Sequence, residues 1–251
     1  MKRIESAKNP KIKHIKRLHK RKQREKDNQF FIEGPHLVEE ALHYDATVQE
    51  VFLEEEFSVP SSWDFKDIPV TFVPEAVMKE MSATETPQGV AAVCNMTSVS
   101  NLTLEQGRYL FIDGIQDPGN LGTIIRTADA AGLTAVILGE GTVDLYNDKV
   151  LRSTQGSVFH LPIVRGDLED WVEKCKKKNI PVFGTGIEMG TTHTAIEPQE
   201  TFALLIGNEG SGVSEFLLAK SDQNLYIPIH GKAESLNAAV AAGILLYHLK
   251  G

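Results

Sequence analysis

The sequence predicts an α/β protein in which a small α/β unit and a basic N-terminal helix precede a larger unit with a mostly parallel sheet. Three observations predict this: strand-like apolar runs alternate with amphipathic segments in both halves, glycine turns follow several runs, and positive charge gathers at the N-terminus. Such alternation is typical of parallel sheets with helices on both faces. A chain of 251 residues is long enough for one or two domains.

The first element is a cationic helix. Residues 1–26 hold 12 of the 26 lysines and arginines and only two acidic residues, so they carry +10, and the remainder carries −18 within a net charge of −8. Three apolar residues recur at helical spacing: Ile12, Ile15 and Leu18. Asn9 and Pro10 suit a cap and a first helical residue.

A cationic helix of this kind suits a polyanion, because each neutralised phosphate releases counterions. We therefore expect nucleic-acid contacts from seven side chains: Lys11, Lys13, Lys16, Arg17, Lys20, Arg21 and Arg24. An anionic membrane surface, a protein partner or a merely solvated face stay open as alternatives on charge alone.

The next elements form the small α/β unit. Predicted strands cover Phe30–Glu33, Val48–Leu53, Val70–Val73 and Gly89–Cys94, with helices opening at Pro35 and covering Glu75–Met81. The polar stretch Asn95–Asn101 has no clear period, so it is the candidate linker.

The second half repeats the alternation. Predicted strands are Tyr109–Ile112, Ala135–Leu138, Pro181–Gly184, Phe202–Ile206 and Leu225–Ile229, and predicted helices are Asn120–Ala131, Leu168–Lys178 and Leu236–Leu249. The last helix is apolar around most of its circumference, with Leu236, Val240, Gly243 and Tyr247 on one face and Leu245 opposite. It must be buried on more than one side, either at a subunit interface or in the centre of the domain.

Several classes of protein are disfavoured. The longest apolar stretch, Ala238–Tyr247, is about half of the ~20 residues that cross a bilayer, and no secretory signal is evident, so we expect a cytoplasmic protein. Cys94 and Cys175 are far apart and have no close Cys/His spacing, so neither a disulfide framework nor a metal site is expected. Gly139 and Gly141 lack the third glycine of a dinucleotide fingerprint, and there is no P-loop.

Three glycine-containing turns come directly after apolar runs. They are IDGIQDPGNLGTIIRTADAAG (112–132), LLIGNEGSGVS (204–214) and IPIHGKAESLNAAVAAG (227–243). Ligands of parallel sheets collect at the carboxyl ends of strands, so polar groups on these turns could converge. Taken singly, Asn120 reads as an ordinary helix cap and Arg126 as a solvated charge.

Together, these segments resemble the three signature motifs of the SpoU/TrmH family of RNA ribose 2'-O-methyltransferases, within the SPOUT superfamily. The segment KNPKIKHIKRLHKRKQREKDNQFFIEGPHLVEEAL (8–42) is similar to the substrate-binding extension of a branch that acts on ribosomal RNA. The resemblance implies an RNA-binding domain like ribosomal protein L30e over residues 1–97, a linker at 98–106 and a methyltransferase domain at 107–251. It also implies a deep trefoil knot in that domain and a homodimer.

The resemblance further implies that S-adenosylmethionine binds in the knotted domain. Motif positions assign it to Thr185, Gly186, Ile206, Gly207, Ile227 and Leu236. An adenine requires an apolar slot lined by backbone donors and acceptors, and these residue types suit one. No metal is expected, because the sulfonium already activates the methyl group.

Matching to the motifs gives five catalytic candidates: Asn120, Arg126, Glu209, Ser235 and Asn237. In the family the arginine is often proposed as the base. A guanidinium stays protonated in proteins, so we expect Arg126 to hold the target phosphate and polarise the 2'-hydroxyl. On this hypothesis Asn120 and Glu209 orient Arg126, while Ser235 and Asn237 shape the ribose site.

The sequence therefore predicts methyl transfer to a ribose 2'-hydroxyl of RNA, with 23S ribosomal RNA favoured. Transfer RNA is an alternative substrate. A non-catalytic RNA-binding or ribosome-assembly protein on the same scaffold is a second alternative. A nucleotide-dependent oxidoreductase is weaker, because its glycine fingerprint fails.

Overall fold

A computed structural model describes residues 2–44, 46–97, 102–186 and 190–251. The helices are α1 (Pro10–Leu18), α2 (Arg21–Asp27), α3 (Pro35–His43), α4 (Glu75–Met81), α5 (Pro118–Ala130), α6 (Asp148–Thr154), α7 (Leu168–Lys177), α8 (Glu215–Lys220) and α9 (Ala238–Lys250). The strands are β1 (Lys2–Arg3), β2 (Gln29–Glu33), β3 (Val48–Glu54), β4 (Val70–Val73), β5 (Val90–Asn95), β6 (Arg108–Asp113), β7 (Ala135–Leu138), β8 (Ile163–Arg165), β9 (Val182–Thr185), β10 (Thr191–Thr192), β11 (Phe202–Gly207) and β12 (Gln223–Tyr226).

The chain divides into two compact units. Among the described residues, the first unit takes 2–97 and 144–159, and the second takes 102–143 and 160–251. Residues 144–159 follow β7 in sequence but pack within the first unit, where Tyr146 lies against Phe30 at 4.6 Å between ring centroids. Of the candidate linker, residues 98–101 lie outside the described residues, and Leu104 is buried in the second unit.

The first unit is built on a mixed five-stranded sheet in the order β1-β4-β3-β5-β2. Helix α1 begins as the sequence predicts, because the Asn9 side chain accepts from Lys11 N at 2.9 Å and Pro10 opens the helix. Its apolar stripe is fully buried against the face that carries Val77, Met78 and Met81 of α4. The four predicted strands, α3 and α4 of this unit are confirmed within one or two residues.

The basic segment forms two short helices and not one. Helix α1 ends at Leu18, and Lys20 is extended before α2 begins. Arg24 turns back into the interior, donating from Nη1 to Leu18 O at 2.7 Å, and this bond satisfies a carbonyl at the end of α1. The break therefore has a specific partner that helical periodicity does not reveal.

The second unit contains a parallel seven-stranded sheet in the order β10-β12-β9-β11-β6-β7-β8. Strand β11 comes after β9 and β10 in sequence, and in the sheet it is inserted between β9 and β6. Tyr109, Phe111, Ala203 and Leu205 pack in one core with α7, while the alternate residues Leu110 and Ile112 are also fully buried. Side chains alternate between faces along a strand, so both faces of this sheet are covered, as predicted.

Elements missed from the sequence are short. Strand β8 has three residues, α6 has seven and α8 has six, which is too few for a clear period. No helix among the residues described has both the length and the apolar character needed to cross a membrane.

Candidate active site

The three motif segments begin at the same edge of the parallel sheet. They follow β6, β11 and β12, whose carboxyl ends lie together because the strands are parallel. Strand β11 pairs with β6 as far as Gly207 opposite Asp113, but it pairs with β9 only at Ala203 and Leu204. Strand β9 continues to Thr185 with β12 as its partner. The ends of β9 and β11 therefore do not pair beyond these residues, and we call the gap between them the crevice.

Asn120 connects the three segments at this edge. Its Nδ2 donates to Glu209 Oε1 at 3.0 Å, and its Oδ1 accepts from Asn237 Nδ2 at 2.8 Å. The Asn237 Oδ1 accepts in turn from Ala239 N at 2.9 Å and so caps α9. One chain of hydrogen bonds thus joins the starts of α5 and α9 to the turn after β11.

Glu209 is held as an anion by donors from the first segment. Backbone N–H groups of Gln116 and Asp117 donate to its two carboxylate oxygens at 3.2 and 3.1 Å. Partial burial raises the pKa of this carboxyl, but the hydrogen bonds from Asn120 and the backbone outweigh it and leave the pKa below its usual value. Glu209 therefore stays ionised through the neutral range.

The turn that carries Glu209 is fixed by Asn208. Its Oδ1 accepts from Gly210 N at 2.8 Å, and its Nδ2 donates to Gly114 O at 2.8 Å. A Cβ on Gly207 would lie 2.0 Å from Gly212 C, so the turn folds directly over Gly207. The absence of a side chain at Gly207 therefore lets the backbone of Gly212 and Val213 pack directly against it.

Some supporting residues were missed from the sequence. Asp117 and not Asn120 caps α5, since its side chain accepts from Asn120 N at 2.8 Å; the interpretation of Asn120 as an ordinary cap is wrong. The Asp-Pro pair at 117–118 is the signal that could have located this cap. Asp113 accepts from Ser214 N at 2.8 Å, a contact between distant residues for which the sequence carries no signal.

Arg126 and Ser235 differ from the three linked residues. Both side chains are exposed, and neither has a hydrogen bond or an ion pair within the described ranges. Asn120 and Glu209 form hydrogen bonds with each other and with Asn237 or the backbone. These hydrogen bonds do not include Arg126, so they give no support to the hypothesis that Asn120 and Glu209 orient it. The five candidates therefore divide into three side chains that are linked by hydrogen bonds and two exposed side chains that have no such bond among the described residues.

Most residues assigned to the cofactor lie at or just beyond the ends of three strands. Thr185 ends β9 and Gly186 follows it, Ile206 and Gly207 end β11, and Ile227 follows β12. Leu236 lies just before Asn237 and is 36% exposed. Apolar side chains and glycines thus occur together at the carboxyl ends of these strands. Such a surface fits an adenosyl group that is bound by apolar contacts and backbone hydrogen bonds.

The seven basic candidates do not share one environment. Lys11 is bound to Glu50 at 2.7 Å, Arg21 to Glu25 at 2.7 Å, and Lys16 to Glu80. The prediction that Arg24 contacts RNA is corrected: its side chain is buried, bonded to Leu18 and paired with Asp144.

The other three basic candidates are Lys13, Arg17 and Lys20, whose side chains are exposed and have no hydrogen bond or ion pair among the described residues. Lys13 and Arg17 lie four residues apart on one side of α1, away from its buried stripe, and Lys20 follows in the extended stretch between α1 and α2. We call these three side chains the basic face.

Comparison with known proteins identifies the class. Residues 107–247 match the SpoU rRNA Methylase family, and residues 9–92 match the MRM3-like substrate binding domain. The chain belongs to the SpoU rRNA methylase family and is an RNA methyltransferase that depends on S-adenosylmethionine.

Particular relatives sharpen this result. The chain is 51% identical, over the full length of both proteins, to the 23S rRNA (guanosine(2553)-2'-O)-methyltransferase RlmP of Bacillus subtilis (strain 168). It is similar to an AdoMet-bound rRNA methyltransferase from Sinorhizobium meliloti at 31% identity and a TM-score of 0.88, covering 99% of this chain and 97% of that one. AviRb from Streptomyces viridochromogenes, in complex with AdoMet, aligns at 28% identity and a TM-score of 0.83, covering 96% and 97%.

Proposed function

We propose that this methyltransferase modifies a ribose 2'-hydroxyl of 23S ribosomal RNA. The hydrogen-bonded chain from Glu209 through Asn120 to Asn237 carries the proposal, because it brings the three motif segments to one point beside the crevice. The similarity to RlmP over the whole chain supports the ribosomal substrate. Ribosomal RNA as substrate also makes the cytoplasm the place of action.

The bound S-adenosylmethionine would supply a methyl group already activated by its sulfonium. Transfer of that group would leave S-adenosylhomocysteine, and the hydroxyl proton would pass to solvent water. The protein must therefore orient a 2'-hydroxyl in line with the methyl group and stabilise the charge that develops on its oxygen. The free guanidinium of Arg126 grips the adjacent phosphate and donates to the developing oxyanion. Ser235 contacts the ribose through its hydroxyl, and the three linked residues hold the turns in place.

The basic face supplies part of the RNA affinity. The domain it belongs to matches a substrate-binding family, and the rest of the chain is acidic. Contacts from Lys13, Arg17 and Lys20 to phosphates give affinity without reading sequence. The match to a substrate-binding family favours RNA over the membrane surface or protein partner that charge alone left open.

We propose a homodimer formed through α9. Three large apolar side chains remain exposed on one stripe of this helix, Val240, Ile244 and Tyr247, and a fourth, Leu236, is exposed just before the helix begins. Leu245, on the opposite side, is buried, so a central position within one chain accounts for only half of the helix. A second copy would cover the stripe. We expect the Ile244→Asp variant to elute as a monomer in size-exclusion chromatography.

Two further features of the fold are proposed. The insertion of β11 between β9 and β6, with α9 returning to α5, supports a trefoil knot in the second unit. The mixed sheet that carries the basic helices supports an RNA-binding domain like ribosomal protein L30e, with residues 1–97 and 107–251 as the two sequence domains.

The decisive experiment maps ribose 2'-O-methylation across ribosomal and transfer RNA. Cells lacking the gene are complemented with the wild-type protein or with Arg126→Ala. We expect one site in 23S RNA to disappear on deletion and to return only with the wild type. A site in transfer RNA would overturn the proposed substrate, and a site restored by Arg126→Ala would overturn the role of that arginine.

A further inference from the structure

Phe216 is an exposed aromatic side chain that neither the methyl-transfer site nor the apolar stripe of α9 explains. Its side chain is 51% exposed. By contrast, Leu217 in the same helix and Val213 just before the helix are both buried. Single exposed apolar side chains are common on protein surfaces, but an aromatic ring also offers a π-face on which a planar ligand can stack.

The helix that carries Phe216 is next to the candidate active site at its start and again at Leu218. At its start, Ser214 N donates to Asp113 Oδ2 at 2.8 Å, at the end of β6. Further along, the Leu218 side chain covers Gly186, where an added Cβ would be 3.1 Å from Leu218 Cδ1. Helix α8 thus spans from the turn that carries Glu209 to the end of β9.

The ring is backed by a fixed cation. Lys220 Nζ lies 4.8 Å from the centroid of the Phe216 ring. The same ammonium is held by Glu169 at 2.5 Å and Glu173 at 3.3 Å, so its position is set by α7. A cation over one face stabilises an aromatic ring in place and leaves the rest of the exposed ring to a ligand.

We propose that Phe216 is a stacking platform for an unpaired base of the substrate RNA that flanks the target nucleotide. Proteins bind splayed-out RNA bases on exposed aromatic rings, and this contact tolerates any base because every base has a π-face. The proposal rests on RNA being the substrate. It assigns Phe216 a role in substrate binding and none in methyl transfer.

The test compares Phe216→Leu, which removes the π-system but stays apolar, with Phe216→Tyr, which keeps it. Methylation of a full-length 23S RNA transcript is measured with the full-length protein. We expect Phe216→Leu to raise the KM for RNA roughly 5- to 100-fold, the range for one stacked base, with kcat and S-adenosylmethionine affinity unchanged. Phe216→Tyr and the control Val59→Ala, whose side chain is 41% exposed in the first unit, should match the wild type.

A second measurement does not depend on the target. Phe216→Trp should show emission quenched by poly(U), beyond any change in the wild type, whose Trp63 and Trp171 are buried. If the wild type fails to methylate the transcript but the quench occurs, the stacking proposal holds and the 23S substrate fails. An unchanged KM in Phe216→Leu together with no quench in Phe216→Trp overturns the stacking proposal. Dissociation of a dimer by Phe216→Leu also overturns it, because a second copy would then cover the ring.

Discussion

Asn120 donates to Glu209 Oε1 across 3.0 Å, although the two residues are 89 positions apart. Each belongs to a different motif segment, and the bond closes the gap between the start of α5 and the turn after β11. Because Asn120 also accepts from Asn237, a single amide sets the relative positions of all three segments. Removing it should affect catalysis more than folding.

The first prediction concerns this amide. Asn120→Ala removes two hydrogen bonds but leaves the Asp117 cap of α5, so we expect kcat to fall roughly 100-fold, as for small misplacements of catalytic groups, with little change in Tm. Asn120→Asp should be at least as damaging, since it places a second carboxylate against Glu209. Kinetics and thermal melts of both variants test this. A normal kcat in Asn120→Ala would show that the linkage does not position the site.

The second prediction concerns pH. The pKa of Glu209 is lowered in the folded chain, so its ionised form stabilises the fold above the unfolded-state pKa of about 4.3. That contribution is lost as pH falls through the lowered pKa. The Tm of Glu209→Gln should therefore lie below that of the wild type at pH 7, and the difference should shrink in acid. A difference that is constant with pH would contradict the ionised assignment.

The third prediction separates two glycines of one turn. Gly207→Ala brings a Cβ to 2.0 Å from Gly212 C, where only backbone could move, so we expect a loss of more than about 3 kcal/mol or failure to fold. At Gly210 the nearest atom is the Asn208 Oδ1 at 3.5 Å, so Gly210→Ala should change stability by no more than about 0.5 kcal/mol. Urea unfolding of the two variants provides the comparison.

The fourth prediction separates RNA binding from folding in the basic segment. Replacing Lys13, Arg17 and Lys20 together by Gln should reduce the slope of log affinity against log salt by about 2, with an unchanged Tm. Arg24→Met should instead lower stability by roughly 3 kcal/mol, since it leaves Asp144 without its buried partner. Point variants are needed, because deletion of residues 1–26 would also remove the buried Ile12, Ile15 and Leu18.

The fifth prediction concerns Arg126. Arg126→Lys keeps the charge but loses the planar fork, so methyl transfer should fall sharply while S-adenosylmethionine affinity is retained. Because the Arg126 side chain is exposed on α5, we expect the variant to fold normally, so a loss of activity would not reflect a folding defect. Near wild-type turnover in this variant would disprove the role of the fork.

Much of the fold was predictable because local patterns specify it. The Asn9-Pro10 cap, the strand Val70–Val73 and the helix Glu75–Met81 each have a signal within a few residues, and each is found as predicted. The break between α1 and α2 was not predictable, because Arg24 reads as a surface cation until its partners Leu18 and Asp144 are known.

The sequence by itself predicted the class of protein, the cofactor and the catalytic candidates, because three turns at the ends of strands resemble the signature motifs of a known family. Only the tertiary structure decided how those candidates divide. Asn120, Glu209 and Asn237 meet because parallel strands bring their carboxyl ends to one edge, whereas Arg126 and Ser235 stay unbonded there. Hydrogen bonds between residues far apart in sequence depend on that packing, and no local pattern encodes them.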